Sequence, residues 1–164
     1  MRRRGTTLAD LERVYRAQFK AFLRTATAYL GDADDARDAV QEGVATAIRE
    51  RRTYRGSGTV EAWMWSVVLN TIRSRYRRRG PVVLVGREPH EHSADLDGDG
   101  LDAGVRAAVR RLPERQRLVL FLRYYADLDY ATIAELLGMS EGTVGASLSA
   151  ARTTLRGLLE EVRA

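Results

Sequence analysis

The strongest pattern in this sequence is a regular apolar stripe near its C-terminal end. Six apolar residues from Val144 to Val162 follow one another at steps of four, three, four, three and four positions. That spacing places all six on one face of an α-helix, so the segment predicts a long helix with one buried side. Gly138 permits a left-handed turn just before it, and Ser140 is a residue type that caps helix N-termini. Such a chain is expected to fold by packing helices together.

Helical spacing also dominates the first part of the chain. Apolar residues recur every three or four positions over residues 11–29, and Gly31 is expected to end that helix. A further helix is expected from Val60 to about Arg79, with Thr59 as its N-cap. The predicted fold class is all-α.

A second helix is predicted between these two, beginning after Asp32 or Asp34, either of which could cap it. Its predicted inward positions are Ala36, Val40, Val44, Ala47 and Ile48. Gly43 falls inside this helix, where glycine costs about 1 kcal/mol relative to alanine. On this interpretation Gly43 weakens the helix.

The charges are unevenly distributed and divide the chain into three parts. The whole chain has a net charge of +5, made up of +8 over residues 1–79, −5 over residues 80–104 and +2 over residues 105–164. The middle part is rich in glycine and proline and has no helical period. We therefore predict two small helical domains, 1–79 and 105–164, joined by a short acidic linker, 80–104.

Composition excludes several classes of protein. The chain has no cysteine, which excludes disulfides and thiolate metal sites, and no apolar stretch long enough to span a membrane. Asp95–Gly100 resembles the start of a calcium loop, but position twelve of that loop would be Arg106 instead of glutamate. His90 and His92 lack a third ligand nearby. We expect no metal, no cofactor, no secretory leader and a cytoplasmic location.

The third predicted helix combines aromatic side chains with arginines. Aromatic rings stack on unpaired bases and arginine neutralises phosphate, so the combination favours single-stranded nucleic acid. Trp63 and Trp65 are two positions apart and cannot both point the same way. We expect Trp63 to be buried and Trp65 to be the DNA contact, with an ordinary helical core as the alternative explanation of the aromatics.

Residues 129–152 have the form of a helix-turn-helix, with a short first helix, Gly138 in the turn and Ser140 starting the second helix. Such a motif lays the first turns of its second helix in the major groove of DNA. The residues assigned to this contact are Ser140, Glu141, Thr143, Val144, Ser147 and Arg152. The alternative is a plain helical hairpin inside an all-α core.

Both parts of the chain resemble one family. Residues 112–156 look like the C-terminal promoter-reading domain of bacterial extracytoplasmic-function sigma factors, and residues 29–79 are similar to the N-terminal domain of that family. The two matches occur in the family's order and cover nearly the whole chain. The resemblance implies an RNA polymerase sigma factor that directs promoter-specific initiation, while the chemistry of transcription belongs to the polymerase.

The resemblance also implies roles and partners. Residues 1–79 would bind core RNA polymerase and melt the minus-ten element, and residues 105–164 would read an upstream element of promoter DNA. Residues implied in polymerase binding are Asp35, Asp38, Gln41 and Glu42. Residues implied in minus-ten contacts are Trp63, Trp65, Asn70, Arg73, Tyr76 and Arg77. Family members are often inhibited by an anti-sigma protein, so such a partner is expected.

The sequence departs from the family pattern in the second helix of the helix-turn-helix. Small residues occupy positions where basic side chains are usual: Gly145, Ala146, Ser147 and Ala150. We therefore expect weak binding to the upstream element, because each missing phosphate contact lowers affinity. A rival hypothesis is a helical adaptor that binds polymerase or a regulator without reading DNA. A dimeric repressor would leave residues 1–79 unexplained.

Overall fold

The computed structural model of this protein describes residues 5–78 and 103–163, and its regular elements there are helices. The helices are α1 (Leu8–Leu30), α2 (Ala33–Glu50), α3 (Val60–Arg78), α4 (Ala103–Arg111), α5 (Glu114–Tyr124), α6 (Tyr130–Leu137) and α7 (Glu141–Arg163), with a 3₁₀ turn at Arg51–Thr53. Over these ranges there is no strand, and the all-α prediction is confirmed. The helices form two compact units, one on each side of residues 79–102. Apart from its last two positions, the proposed linker 80–104 lies outside the described residues.

Local sequence sets the boundaries of α1 and α2. Thr7 and Asp10 cap each other at the start of α1, since the Thr7 hydroxyl oxygen accepts from the Asp10 amide at 3.1 Å. The Thr7 hydroxyl and amide both donate to the Asp10 carboxylate, which lowers the pKa of Asp10. Gly31 ends α1 in the left-handed region at φ 74°. Asp32 then caps α2 by accepting from the Asp35 amide at 2.8 Å.

Capping side chains also begin the later helices. The hydroxyl oxygen of Thr59 accepts from the Ala62 amide at 3.0 Å as α3 begins. Asp129 caps α6, and its bonds from Thr132 lower the pKa of the Asp129 carboxyl. Pro113 is the N-cap residue of α5, since its ψ of 142° is extended and the helix begins at Glu114.

The N-terminal unit is built by α1, α2 and α3, which pack against one another around a shared core. Trp65 and Phe22 are fully buried there, with ring centroids 4.4 Å apart in an edge-on arrangement. A Cβ at Gly43 would lie only 2.9 Å from the Cα of Val68, so α2 and α3 touch backbone to backbone at this point. The glycine predicted to weaken α2 is therefore what lets α3 approach it. Ile48, predicted to be buried, is 40% exposed.

The C-terminal unit is centred on α5, which packs against α6 and α7, while α4 lies on α7. All five residues of Leu118–Leu122 are buried, so α5 is enclosed on nearly every side. The α7 stripe is buried at Val144, Leu148 and Ala151, as its spacing predicts. A smaller cluster joins Leu112, Leu120 and Ala151 with the partly buried Val109 and Leu155.

Candidate functional site

A line of carboxylates on α2 faces α3, where Arg75 lies near all three of them and Arg78 lies 3.9 Å from Glu42. The Arg75 Nε lies 3.2 Å from an oxygen of Asp35, its Nη1 3.4 Å from Glu42 and its Nη2 3.9 Å from Asp38. The Asp35 side chain is only 15% exposed, whereas that of Asp38 is 65% exposed. Three of the four residues implied in polymerase binding therefore share Arg75. Gln41, the fourth, is exposed.

Replacing Arg75 with glutamine should destabilise the N-terminal unit by about 1–3 kcal/mol, between the values for exposed and buried ion pairs. The loss arises mainly at Asp35, which would keep a largely buried carboxylate without its guanidinium partner. Urea denaturation of the full chain measures the change. Arg77→Gln is the control, because Arg77 is exposed on the same helix. Equal stability of the two variants would contradict a structural role for Arg75.

The two tryptophans of α3 are placed opposite to expectation. Trp65 is completely buried, so it belongs to the core and cannot contact DNA without unfolding the unit. Trp63 is half-buried and lies beside Tyr54, with ring centroids 5.9 Å apart. The prediction failed because apolar spacing left the rotational phase of α3 uncertain by about one residue.

The loop between α2 and α3 adds a feature that the sequence analysis missed. Gly5 donates its amide to the Tyr54 carbonyl at 2.8 Å, and Thr6 donates to the Arg51 carbonyl at 2.9 Å, which ties the loop to the start of α1. The Tyr54 hydroxyl donates to the Gly58 carbonyl at 2.8 Å. Tyr54 therefore extends the surface around Trp63. Apolar periodicity could not have predicted the position of this loop, since the loop is held by Gly5 and Thr6, which are distant from it in the sequence.

Three candidate residues of α3 form one line on its surface. Trp63, Asn70 and Arg77 follow one another at intervals of seven residues. They therefore lie within about 40° of one another around the helix axis and span about 21 Å. Asn70 and Arg77 are exposed and Trp63 is half-buried. We call this set the α3 line; it brings an aromatic ring, an amide and a guanidinium onto one face.

The remaining candidates on α3 lie off this line. Tyr76 packs edge-on against Tyr29 with centroids 5.1 Å apart, and Arg73 is half-buried. Both side chains are therefore partly enclosed by the packing of the N-terminal unit. Asn70 also borders a groove of about 300 Å³ between α2 and α3. The other residues around this groove are Glu42, Thr46, Glu50, Val67, Thr71, Ser74 and Arg78.

The helix-turn-helix is present, with Gly138 at φ 62° between α6 and α7. The hydroxyl oxygen of Ser140 accepts from the Thr143 amide at 3.1 Å, so this side chain serves as the N-cap of α7. Glu141 and Thr143 are exposed. Val144 is fully buried and is a core residue, which corrects its assignment to DNA contact.

Ser147 and Arg152 lie further along α7. Ser147 is half-buried and Arg152 is exposed. The Arg152 Nε donates to the Tyr124 hydroxyl at 3.0 Å, and its Nη2 donates to the same oxygen. These bonds raise the pKa of Arg152 above its usual value. Arg123 lies over the ring of Tyr130 at 5.9 Å from the centroid.

The described residues give no indication of a metal site or a membrane span. Within 5–78 and 103–163, no group of three or more histidine or acidic side chains is placed to hold a metal ion. None of the helices in these ranges combines the length and the apolar character of a membrane span. His90, His92 and the Asp95–Gly100 segment, considered above as metal ligands, lie outside the described residues.

Comparison with known proteins identifies both units. The family model for sigma-70 region 2 matches residues 14–81, and that for sigma-70 region 4 matches residues 103–155. The RNA polymerase sigma factor SigV of Bacillus subtilis is 28% identical over 157 residues, covering 95% of each chain. The ECF RNA polymerase sigma factor SigM of Mycobacterium tuberculosis is 28% identical over 149 residues, covering 90% of this chain and 76% of SigM.

A solved structure has the same fold. The sigma factor RpoE of Bartonella quintana, in complex with the anti-sigma factor NepR, matches with a TM-score of 0.70 at 23% identity. The match covers 93% of this chain and 98% of RpoE. With two family models matched in order, the chain belongs to the sigma-70 family, and its resemblance to extracytoplasmic-function sigma factors is confirmed.

Membership of this family establishes the function. The protein is an RNA polymerase sigma factor, which binds core polymerase and promoter DNA and directs transcription initiation. Sigma factors are initiation factors and not classical enzymes.

Proposed function

We propose that the two units divide the work of initiation. Residues 1–79 dock on core polymerase and open the minus-ten element, residues 80–104 link the units, and residues 105–164 bind the upstream element. Two weak contacts joined through the polymerase reinforce each other by effective concentration. This arrangement does not require either unit to bind promoter DNA tightly alone.

We propose that Asp38, Gln41 and Glu42 form the polymerase-docking surface of α2. All three are exposed, and their carboxylate and amide groups suit a basic partner surface. Asp35 supports this surface from the side, because its partly buried contact with Arg75 ties α2 to α3. Arg75 also holds the carboxylates of Asp38 and Glu42 on one side of α2.

The α3 line is the observation that most strongly supports DNA opening by this unit. Trp63 offers a ring face for stacking, Asn70 offers amide hydrogen bonds, and Arg77 offers charge to phosphate. The three side chains share one face, and the distance of about 21 Å from Trp63 to Arg77 suits a single strand of DNA that runs along α3. Arg73 and Tyr76 support this surface from the side. A helical adaptor that does not read DNA would not need these three side chains on one face.

The test is transcription of a genomic DNA library by bacterial core polymerase, with mapping of the 5′ ends. With wild-type protein we expect new start sites that share two upstream sequence motifs. The Asn70→Ala, Arg77→Ala double variant should bind core polymerase normally but open promoters roughly tenfold or more slowly, since a hydrogen bond to a charged phosphate is worth about 1.5–3 kcal/mol.

Lys20→Ala is the matched control, because Lys20 is exposed on α1 in the same unit and its loss removes one positive charge. It should leave promoter opening unchanged. Unchanged opening by the double variant would remove the α3 line from the mechanism. Polymerase binding with no new start sites in the wild type would favour the helical adaptor.

Three further features accompany this proposal. We propose that the protein works in the cytoplasm, where core polymerase and promoter DNA are found. It supplies no catalytic group, since the polymerase performs the chemistry. RpoE of Bartonella quintana is bound by an anti-sigma factor, and we propose a protein inhibitor of this kind for the present chain.

A further inference from the structure

One exposed pair in the C-terminal unit is not explained by packing. Tyr124, at the end of α5, is 55% exposed, and Arg152 of α7 bonds to its hydroxyl. The guanidinium carbon of Arg152 is also 5.6 Å from the centroid of the Tyr124 ring. A buried core gains little from two side chains that both face solvent. Their contact instead fixes the position of a cation on the surface.

The chemistry of the pair is that of an anion site. Arginine has five N–H donors, of which Tyr124 uses two, and those two bonds occupy the lone pairs of the tyrosine oxygen. The remaining arginine donors and the tyrosine O–H have no acceptor within the pair. An anion with several oxygen atoms, such as a phosphodiester, would satisfy them. The hydroxyl becomes a stronger donor when it also accepts from a cation.

The position of Arg152 on α7 connects the pair to the proposed DNA-facing end of the helix-turn-helix. Arg152 follows Gly145 by seven residues, so the two share one face and are separated by about 10 Å along the axis. A Cβ at Gly145 would lie 3.6 Å from the Tyr130 ring, so this face adjoins the start of α6. Arg152 is also the first basic residue of α7, since residues 141–151 contain no lysine or arginine.

The acidic side chains nearby are already engaged. The Asp127 carboxylate lies 3.6 Å from Arg123, and the Asp129 carboxylate accepts from the Thr132 amide at 2.7 Å. Arg123 therefore offsets Asp127, while Asp129 serves as a helix cap. Arg152 bonds to Tyr124, and its guanidinium has no carboxylate partner among the described residues.

We propose that Tyr124 and Arg152 clamp a phosphate of the promoter backbone beside the upstream element. The clamp provides the electrostatic contact that the small side chains at the start of α7 cannot make. Because Tyr124 holds the guanidinium in one position before DNA arrives, less side-chain freedom is lost on binding. This inference rests on the proposed role of residues 105–164 in binding the upstream element.

The experiment measures binding of holoenzyme, formed from core polymerase and the full chain, to a promoter fragment over a range of salt concentrations. Arg152→Gln should weaken binding about three- to tenfold and reduce the slope of log K against log salt by about one, as expected for one lost phosphate contact. Tyr124→Phe should weaken binding about threefold with the slope kept. The double variant should bind more weakly than Arg152→Gln alone, but by less than the product of the two single effects, because the hydroxyl both donates to the phosphate and positions the arginine.

Two control variants separate the clamp from general effects. Arg115→Gln removes an exposed charge from the first turn of α5 and should leave the slope unchanged. Arg152→Lys keeps the charge but not the paired bonds to Tyr124, so it should restore the slope with only part of the affinity. Both variants lose the paired bonds to Tyr124, but only Arg152→Gln loses the charge. Comparing the two therefore separates an effect of the lost charge from a loss of folding in Arg152→Gln.

The outcomes distinguish the clamp from the function on which it rests. A slope for Arg152→Gln equal to that of wild type would overturn the clamp while leaving the sigma factor function intact. A wild-type holoenzyme that binds equally well after removal of the DNA upstream of the minus-ten element would overturn both the clamp and the proposed role of residues 105–164 in binding the upstream element. Equal loss with Arg115→Gln would indicate a general charge effect and would also overturn the clamp.

Discussion

Replacing Trp65 with alanine is expected to destabilise the N-terminal unit by about 3–5 kcal/mol, the usual cost of removing a large buried aromatic side chain. Trp65 is completely buried, and its ring meets Phe22 at the centre of the three-helix core. Domains of this size are stable by only about 5–15 kcal/mol, so the loss is a large part of the total. Urea denaturation followed by circular dichroism measures the change.

The neighbouring tryptophan provides the matched comparison. Trp63→Ala removes the same side chain from a half-buried position on the same helix, so it should cost no more than about 1.5 kcal/mol. It should nevertheless slow promoter opening, because the α3 line would lose its aromatic ring. If Trp63→Ala proved the more destabilising of the two, the orientation of α3 described above would be wrong.

Replacing Gly43 with alanine should also destabilise the N-terminal unit, by about 1–3 kcal/mol. Alanine is favoured over glycine by about 1 kcal/mol in a helix, so intrinsic propensity alone predicts the opposite sign. The new methyl group would lie 2.9 Å from the Cα of Val68, which is backbone and cannot rotate away. Relief requires α2 and α3 to move apart, which loosens the core between them. Thermal and urea unfolding of the full chain test the sign.

A second helical glycine serves as the control. Gly157 lies inside α7, and a Cβ placed there would meet no atom within 4 Å beyond its chain neighbours and the backbone of its own helix turns. Gly157→Ala should therefore stabilise the C-terminal unit by about 0.5–1 kcal/mol through helix propensity alone. Opposite signs at the two glycines support the close contact of α2 and α3. Stabilisation by both substitutions would contradict it.

Helix boundaries could be predicted from the sequence because capping is a local interaction. Thr59, Gly138 and Ser140 act where they were expected, and each acts on residues within a few positions in the chain. The buried stripe of α7 was also predictable, since apolar spacing repeats over several turns. Periodicity of this length specifies the helical face with little ambiguity.

Features that depend on a neighbouring helix could not be predicted in this way. The contact of Gly43 with Val68 and the ion pairs of Arg75 join α2 to α3, and neither partner is near the other in sequence. Trp63 and Trp65 were interchanged because α3 carries apolar residues on more than one side. Val144 was placed on the buried stripe by its spacing and assigned to DNA contact by its motif position, and its complete burial supports the stripe.

The joining of α2 to α3 has a consequence for engineering new promoter specificities. Arg75 belongs to the helix that would contact DNA, yet its partners belong to the helix that would dock on polymerase. A chimera that imports α3 alone would separate Arg75 from its carboxylates and Val68 from the glycine that accommodates it. Exchange of α2 and α3 as a single cassette preserves both contacts. Swaps between related factors should therefore be joined in front of α2 or behind α3, and not in the loop between them.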